Sequence, residues 1–478
     1  MSTFSSLSTA LSSLTAQRQA LDVAGQNIAN ANTVGYTRQR VDMQSINSTS
    51  VASMFSTPMG SGDGVHIVDI ARLGDQFLDA RLRTQTSLSS YNNANATTLG
   101  RLESVVTEPG STGLAAGMQE FWSAWEDVAN SPDAPATRTA LMGKASALAS
   151  QIGDTYRAFE SQWSQARTEA DALVAKVNST AQAVANLNQQ IRGVLVSGGS
   201  ANELIDKRSE LITQLSSLVG ATSRPQEDGT VSVMVAGNPL VSGDRINAIK
   251  VEGSYVMAGA IAEPPGADAL RLAWGASNAP LVLDGGSLAG TMTSLQPGSL
   301  GGPIANAIGA VNGLATQLGN AVNAIHQTGT TLAPPPNDTG VDFFEFAAGM
   351  PPALGLRVAI TDPAMVAAAN SANGAWDGSI ADQISQLRDG TSAPDQAWRS
   401  FVVDLGVTTE AARRRADVSE VTRATAENLQ RANASVDIDE EMTNILAYQR
   451  AYQGAARVLT AVDEMLDTLI NRTGLVGR

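Results

Sequence analysis

The chain has 478 residues, enough for about three domains' worth of core, and contains no cysteine, which excludes thiol nucleophiles, disulfides and thiolate metal sites together. Its net charge of −15 argues against nucleic acid or an anionic membrane surface as a partner. Charged residues make up 16% and aromatics 4%, so the polarity comes from Ser, Thr, Asn, Gln and Gly.

From Phe4, the residues Leu7, Leu11, Leu14, Arg18, Leu21, Gly25 and Ile28 follow one another at alternating gaps of three and four. That is the seam of a coiled coil rather than the broader apolar face of a globular helix. Between Ser5 and Ala20 the other positions are Ser, Thr, Gln and Ala, and Arg18 is the single charge. A helix with one wet side normally carries Lys and Glu there. Small uncharged residues suit a helix surrounded by other chains, where a desolvated charge would be costly. The same seam would equally serve the core of one chain. Residues 1–30 have no basic start and no continuous apolar block, so they do not read as a secretory signal, and no 18-residue apolar run spans a membrane.

The helix ends in Gln26-Asn27-Ile28-Ala29-Asn30-Ala31-Asn32-Thr33-Val34-Gly35-Tyr36-Thr37-Arg38-Gln39, where three Asn and a Gly mark an ordered turn with Gly35 at positive φ. Periodicity then predicts helices over 85–107 and 118–130, split at Pro109-Gly110, with Pro132 and Pro135 closing the second. A long amphipathic run covers Arg138 to Val196, Ser197-Gly198-Gly199 breaks it, and Glu203–Leu218 is a further helix. Asp228-Gly229 opens the alternation Val231-x-Val233-x-Val235; with Ile246–Val251, Leu270–Trp274 and Leu281–Leu283 it makes 223–299 a small β unit. Helical spacing returns from Ile304 to Ile325, followed by an exposed loop at Thr330–Asn337 with three consecutive prolines. Trp376 to Leu405 reads as helical with turns, and Thr408 to Ser435 as a charged helix.

The last helix, Asp437 to Asn471, repeats the seam of the first: Ile445, Tyr448, Tyr452, Ala455, Leu459, Val462, Leu466 and Leu469. Matching seams at the two ends, with everything else between them, describe a chain built to bring its ends together. The fold expected is mainly α and elongated, with N- and C-terminal helices paired as a coiled coil and a central helical domain carrying the small β unit. Residues 1–65 with 432–478 form the terminal assembly domain, 66–222 with 300–431 the helical middle, and 223–299 the β unit.

No catalytic constellation emerges. His66 and His326 are isolated from each other in sequence, with no cysteine beside either, and His326 reads as a packing or surface residue. Glu440-Glu441 are adjacent on a helix, about 100° apart, and so favour the helix dipole rather than a shared site. No phosphate-binding lysine loop, nucleophile elbow or zinc-binding HExxH is present, and no cofactor or metal is expected.

The string Asn27-x-Ala29-Asn30-x-x-Thr33-x-Gly35-Tyr36 resembles the N-terminal motif of the bacterial flagellar axial proteins, and its continuation Thr37-Arg38-Gln39 is similar to that of the hook-associated protein 1 family. The resemblance recurs at Leu187-Asn188-x-x-Ile191 with Asn202–Arg208, at Gly286–Gly290 with Asn323–His326 and Asp342–Phe344, and from Asp439 through Tyr448–Tyr452 to Asn471. A separate outer β domain like that of larger relatives is not expected, because Phe343-Phe344 is followed almost at once by Arg357–Ile360. The resemblance implies a structural subunit at the distal end of the hook, between hook and filament, exported from the cytoplasm without a cleaved signal. It implies as partners copies of itself in a ring, hook protein, a second hook-associated junction protein on the filament side, and an export chaperone on the C-terminal helix. A hook or rod subunit is the nearest alternative, and a wall hydrolase on an axial scaffold the alternative from another class.

Overall fold

The computed structural model describes residues 3–46, 62, 64–332, 339–370, 374, 376–390 and 393–472. The first helix, α1 (Thr3–Ala29), is followed by an antiparallel hairpin, β1 (Gln39–Ser45) with β2 (Val65–Arg72), in which Gln39 faces Arg72 and Ser45 faces Val65. The hairpin lies on α1: Val41, Met43, Ile67 and Ile70 cover Ala20 and Val23. The division expected at residue 65 therefore falls inside this hairpin, which the sequence reading did not anticipate.

Helix α2 (Gln76–Val105) begins nine residues before the expected start because Asp75 caps it, its carboxylate accepting from the Phe77 amide at 2.7 Å. Next come α3 (Leu114–Asn130) and α4 (Pro135–Val196), a 62-residue helix whose first-turn proline costs no hydrogen bond. Phe121, Trp122 and Trp125 of α3 meet Leu141, Ile152, Phe159 and Trp163 of α4 in a fully buried core. Helix α5 (Asn202–Val219) turns back along α4 and α2 and ends at Gly220, whose φ of 68° is the left-handed cap that glycine accepts without strain.

The β unit is two small antiparallel sheets. One orders β3 (Thr222–Pro225), β4 (Val231–Val235), β5 (Asn238–Ser242) and β6 (Arg245–Ile246); the other orders β7 (Ile249–Glu252), β8 (Arg271–Trp274) and β9 (Pro280–Leu281), with the short α6 (Met257–Ala260) between β7 and β8. The expected strand Ile246–Val251 is thus divided between two sheets. Val231, Val233 and Val235 point inward and join the same hydrophobic core as α4. α7 (Ser287–Ser294) packs on α2 so closely that a Cβ at Gly290 would lie 2.7 Å from that of Ala94.

The long α8 (Pro303–His326) leads to a hairpin of β10 (Phe344–Phe346) and β11 (Leu356–Val358) around the single turn α9 (Pro352–Gly355). The three prolines of the expected exposed loop lie outside the described residues, but its first residues, Thr330 and Thr331, are buried, because the chain there still pairs with the segment 364–369. After α10 (Ser379–Ser385), α11 (Pro394–Ala434) runs unbroken through the point where two helices were expected, because Gly406 sits in ordinary helical backbone and α2 packs against much of its length. A break at Ser435–Asp437 separates it from α12 (Ile438–Asp467).

Buried polar side chains tie these layers together. Asn188 of α4 uses every hydrogen-bonding position: its amide donates to Val231 O (2.9 Å) and Gly243 O (2.7 Å), and its oxygen accepts from Val231 N (3.1 Å) and Arg208 (2.9 Å). Asn323 holds Phe343 and Phe344 by three backbone hydrogen bonds. His326, fully buried against Trp125 and Phe343, accepts at Nε2 from Ala367 N (2.8 Å), so its proton sits on Nδ1 and is donated to Val341 O (2.7 Å).

Burial holds the His326 pKa below its ordinary value, against the opposing Val341 hydrogen bond. An unfolded histidine titrates near about 6.5. The stability contributed by neutral His326 is therefore intact above that pH and lost as pH falls below it, since only the unfolded chain gains the proton readily. Between pH 7 and 5.5 the melting temperature should fall, less steeply in His326→Gln than in wild type and unchanged in slope by His66→Gln. An equal slope in His326→Gln would show that the ring is not the titrating group.

Candidate assembly interface

Helix α12 lies antiparallel on α1. Asn27, near the end of α1, bonds Glu441 at the start of α12, and Tyr448, two turns on, packs against the cluster of Ala20, Val23 and Val41. Along α1 the buried ridge is Ala10, Ala16, Ala20, Val23, Ala24 and Asn27. Small residues let the two helix axes approach closely, and they turn the leucines sideways. Leu7, Leu14, Leu21 and Ile28 are accordingly half-buried, and Leu11 is 59% exposed. On α12, Val462 is buried; Ile445, Tyr448, Ala455, Leu459 and Leu466 are half-buried; Tyr452 and Leu469 are exposed. Met442 and Leu446, and on another face Val458 and Met465, leave further apolar side chains exposed on the same helix. The terminal pair thus carries far more apolar surface than its own contact consumes.

The turn after α1 is a dense hydrogen-bonded knot. Asn30 donates to Gln26 O (3.0 Å) and accepts from the Thr33 hydroxyl (3.2 Å), closing the helix end, while Ala29 is exposed. Gly35 has a φ of 81°, which reverses the chain into Tyr36. Asn27 is 1% exposed and fully satisfied: it donates to Gln39 O (2.8 Å) and Glu441 Oε2 (3.2 Å), and accepts from the Tyr36 hydroxyl (2.9 Å) and Gln39 N (3.0 Å). Arg38 grips both carboxylates at the start of α12, with Nε on Glu441 (2.8 Å) and Nη1 on Glu440 (2.5 Å). Burial opposes the charge on Arg38, but Glu441 and Glu440 outweigh it and hold its pKa above the ordinary value. These two glutamates do share one cation, contrary to the reading of adjacent helix positions as independent. A planar guanidinium is wide enough to span the angle between them.

The same knot reaches the middle of the chain. Thr37 N donates to Asp206 Oδ2 (3.0 Å) on α5, and Arg72 of β2 binds both Asp206 and the Thr37 hydroxyl. Asn202, at the start of α5, donates to the Gln39 side chain (3.1 Å) and to Ile70 O (2.6 Å), and Gln26 donates to Glu203 (2.8 Å). Burial, then Asp206, Glu203 and Glu441 in turn, pushes the Tyr36 pKa up to about 12, so its hydroxyl stays protonated and donates. Among the described residues no group of three or more His, Asp or Glu could hold a metal ion, and no helix is long and apolar enough to cross a membrane.

Comparison with known proteins bears on the whole chain. Residues 99–344 match the family model described as the flagellar hook-associated protein FlgK helical domain. The flagellar hook-associated protein 1 of Bacillus subtilis is 30% identical over an alignment of 509 positions that covers all of both chains. The chain belongs to the flagellar hook-associated protein 1 family. That family supplies structural proteins of the flagellum at the junction of hook and filament. The Escherichia coli hook-associated protein 1 is 29% identical over 73% of this chain and 61% of its own length. The ends carry broader resemblances, residues 7–37 to the flagella basal body rod protein model and 432–472 to the C-terminal model of the basal body rod FlgEFG proteins. The fold matches that of the flagellar hook junction protein FlgK from Burkholderia pseudomallei, with a TM-score of 0.61 at 16% identity, over 75% of this chain and all of that one.

The sequence reading named every member of the turn but not its partners on other elements. Glu441 was visible only as a helix-start acid, and Arg72 and the alanine ridge carried no signal, since Ala at those positions reads as filler between leucines. At Gly35 a Cβ would meet nothing closer than 3.7 Å, so the cost of a side chain there is backbone strain alone. Gly35→Val should cost about 1–2 kcal/mol and Gly35→Asn clearly less, because Asn tolerates positive φ. Chemical denaturation of the two variants checks this, and equal losses would point to crowding instead.

Proposed function

We propose that this chain is the subunit that joins hook to filament, and that α1 and α12 are the part by which it enters the axial tube. The observation that carries the reading is the unconsumed apolar surface of the terminal pair: Leu11 on α1, and Met442, Leu446, Val458 and Met465 on α12. Exposed apolar residues of this kind on an isolated pair of helices are a contact surface in waiting. Copies of the same chain cover them in a ring, the pair continuing the tube wall. The assembly unit comprises α1, β1–β2 and α12. The middle helices with their two small sheets face hook protein on one side and a second hook-associated protein on the other.

The rest of the proposal follows the family. The chain reaches its place by export from the cytoplasm, and a chaperone covers α12 beforehand. The absence of cysteine suits passage between compartments. We read the chain as non-enzymatic, since Asp206, Glu441 and His326, the buried carboxylates and histidine among the described residues, are committed to structural hydrogen bonds. A hook or rod subunit is supported by the two ends alone, whereas the long middle match supports the junction.

Leu11→Asp and Leu446→Asp should leave the melting temperature of the free chain within a degree or two of wild type, on the order of ordinary surface changes. Neither variant should restore filaments to a strain lacking the protein, because a carboxylate is then buried at every subunit contact. Leu141→Asp, in the middle core, should unfold the chain. Filaments of normal length on Leu11→Asp cells would remove α1 from the interface.

A further inference from the structure

The residues around the turn after α1 do more than close a helix. Four consecutive amides, Tyr36 to Gln39, each donate to a different part of the molecule: Tyr36 N to Thr33 O, Thr37 N to Asp206 on α5, Arg38 N to Ala434 O at the end of α11, and Gln39 N to Asn27 on α1. The side chains in the same stretch reach α12, through Arg38 to Glu440 and Glu441. One four-residue segment therefore fixes where α1, α5, α11 and α12 stand relative to one another.

The charges at this point do not balance without α12 in place. Glu441 is 2% exposed, and its partners outside α12 are the Arg38 guanidinium and one N–H of Asn27, with Asn444 donating at 3.5 Å from within α12. With α12 withdrawn, Arg38 loses both carboxylates and Asn27 loses one acceptor, so the Asn27 amide is held by Gln39 and Tyr36 alone. The loss is not local to the α1 end. Asn27 Oδ1 positions both Gln39 N and the Tyr36 hydroxyl, and of the two residues between them Thr37 is the one that binds Asp206.

We propose that Asn27, Arg38 and Glu441 form a clasp that couples seating of α12 on α1 to the attachment of the terminal pair to the middle helices. With α12 seated, Tyr36–Gln39 are locked and the pair has one direction relative to α5 and α11. With α12 held away by a partner, the clasp opens and the segment becomes a hinge. The proposal concerns the free chain and stands whether or not the assembly reading holds. Coupling of this kind is reciprocal by thermodynamic necessity. Loosening the α5 side must therefore loosen α12, although among the described residues Asp206 makes no hydrogen bond to α12.

Amide hydrogen exchange on the full-length chain, free of hooks, tests this. Glu441→Gln should raise exchange at least tenfold both in the first turns of α12 and at residues 36–39, with α4 unchanged. Asp206→Asn should do the same in both places, and the double variant should add little to either single one. If Glu441→Gln fails to fold, Arg38→Lys carries the same test, since it keeps the charge but loses the fork. Loosening of α12 alone in Glu441→Gln, of 36–39 alone in Asp206→Asn, or simple additivity in the double variant would overturn the coupling.

Discussion

One buried polar contact organises the molecule: the side chain of Asn27, on the last turn of α1, against Glu441 on the first turn of α12, more than four hundred residues away. Nothing local in either helix requires it. A buried amide that makes all four of its hydrogen bonds fixes orientation in a way that apolar packing does not, because an apolar pair slides and a satisfied amide does not. Arg38 then neutralises the carboxylate, and its backbone joins β1 to the ends of α11 and β2 through Ala434 O and Leu73 N. The ends of the chain are held in register by this knot, and the middle is inserted between them.

The alanine ridge is the second constraint. Because Ala16, Ala20 and Ala24 take the contact with little volume, the leucines of α1 are left at the flanks, half-covered. The arrangement resolves the two readings of the seam. The helices do pair within one chain, as a self-contained core would, yet the pairing does not use up the seam. A coiled coil in which leucine met leucine would be more stable alone and would offer less to a neighbour. The middle of the chain shows the opposite economy. There Trp122, Trp125, Trp163 and Phe159 are wholly covered, and buried Asn188 and His326 and half-buried Asn323 have their partners within the chain.

Most helices were legible because their apolar spacing was long and regular, α4 above all, and the ends of the chain announced themselves by matching repeats. What was not legible was long-range. The β1–β2 hairpin escaped because its inward residues are few, with a bulge after Asp42 that breaks the alternation. The break expected within α11 reflects Gly406 and a run of charges, local signals that packing against α2 overrides. At the candidate interface the sequence displayed the donors, Asn27 and Arg38, and hid the acceptors, because a carboxylate at a helix start has a sufficient local explanation. The leucine repeat gave the right helices but not the side that they turn to each other.

The claim on which the functional reading rests is that the flanking leucines of the terminal pair are open in the free chain and covered by other copies in the junction. A chain without cysteine allows that to be measured directly. Single cysteines placed at Leu11 and Leu446 should react rapidly with a maleimide in the free protein, and both should be protected once the protein is part of hooks bearing filaments. A cysteine at Ser8, exposed on another part of α1, reports how far the protection extends. Labelling of Leu11→Cys and Leu446→Cys at the same rate in the free and assembled states would contradict the claim.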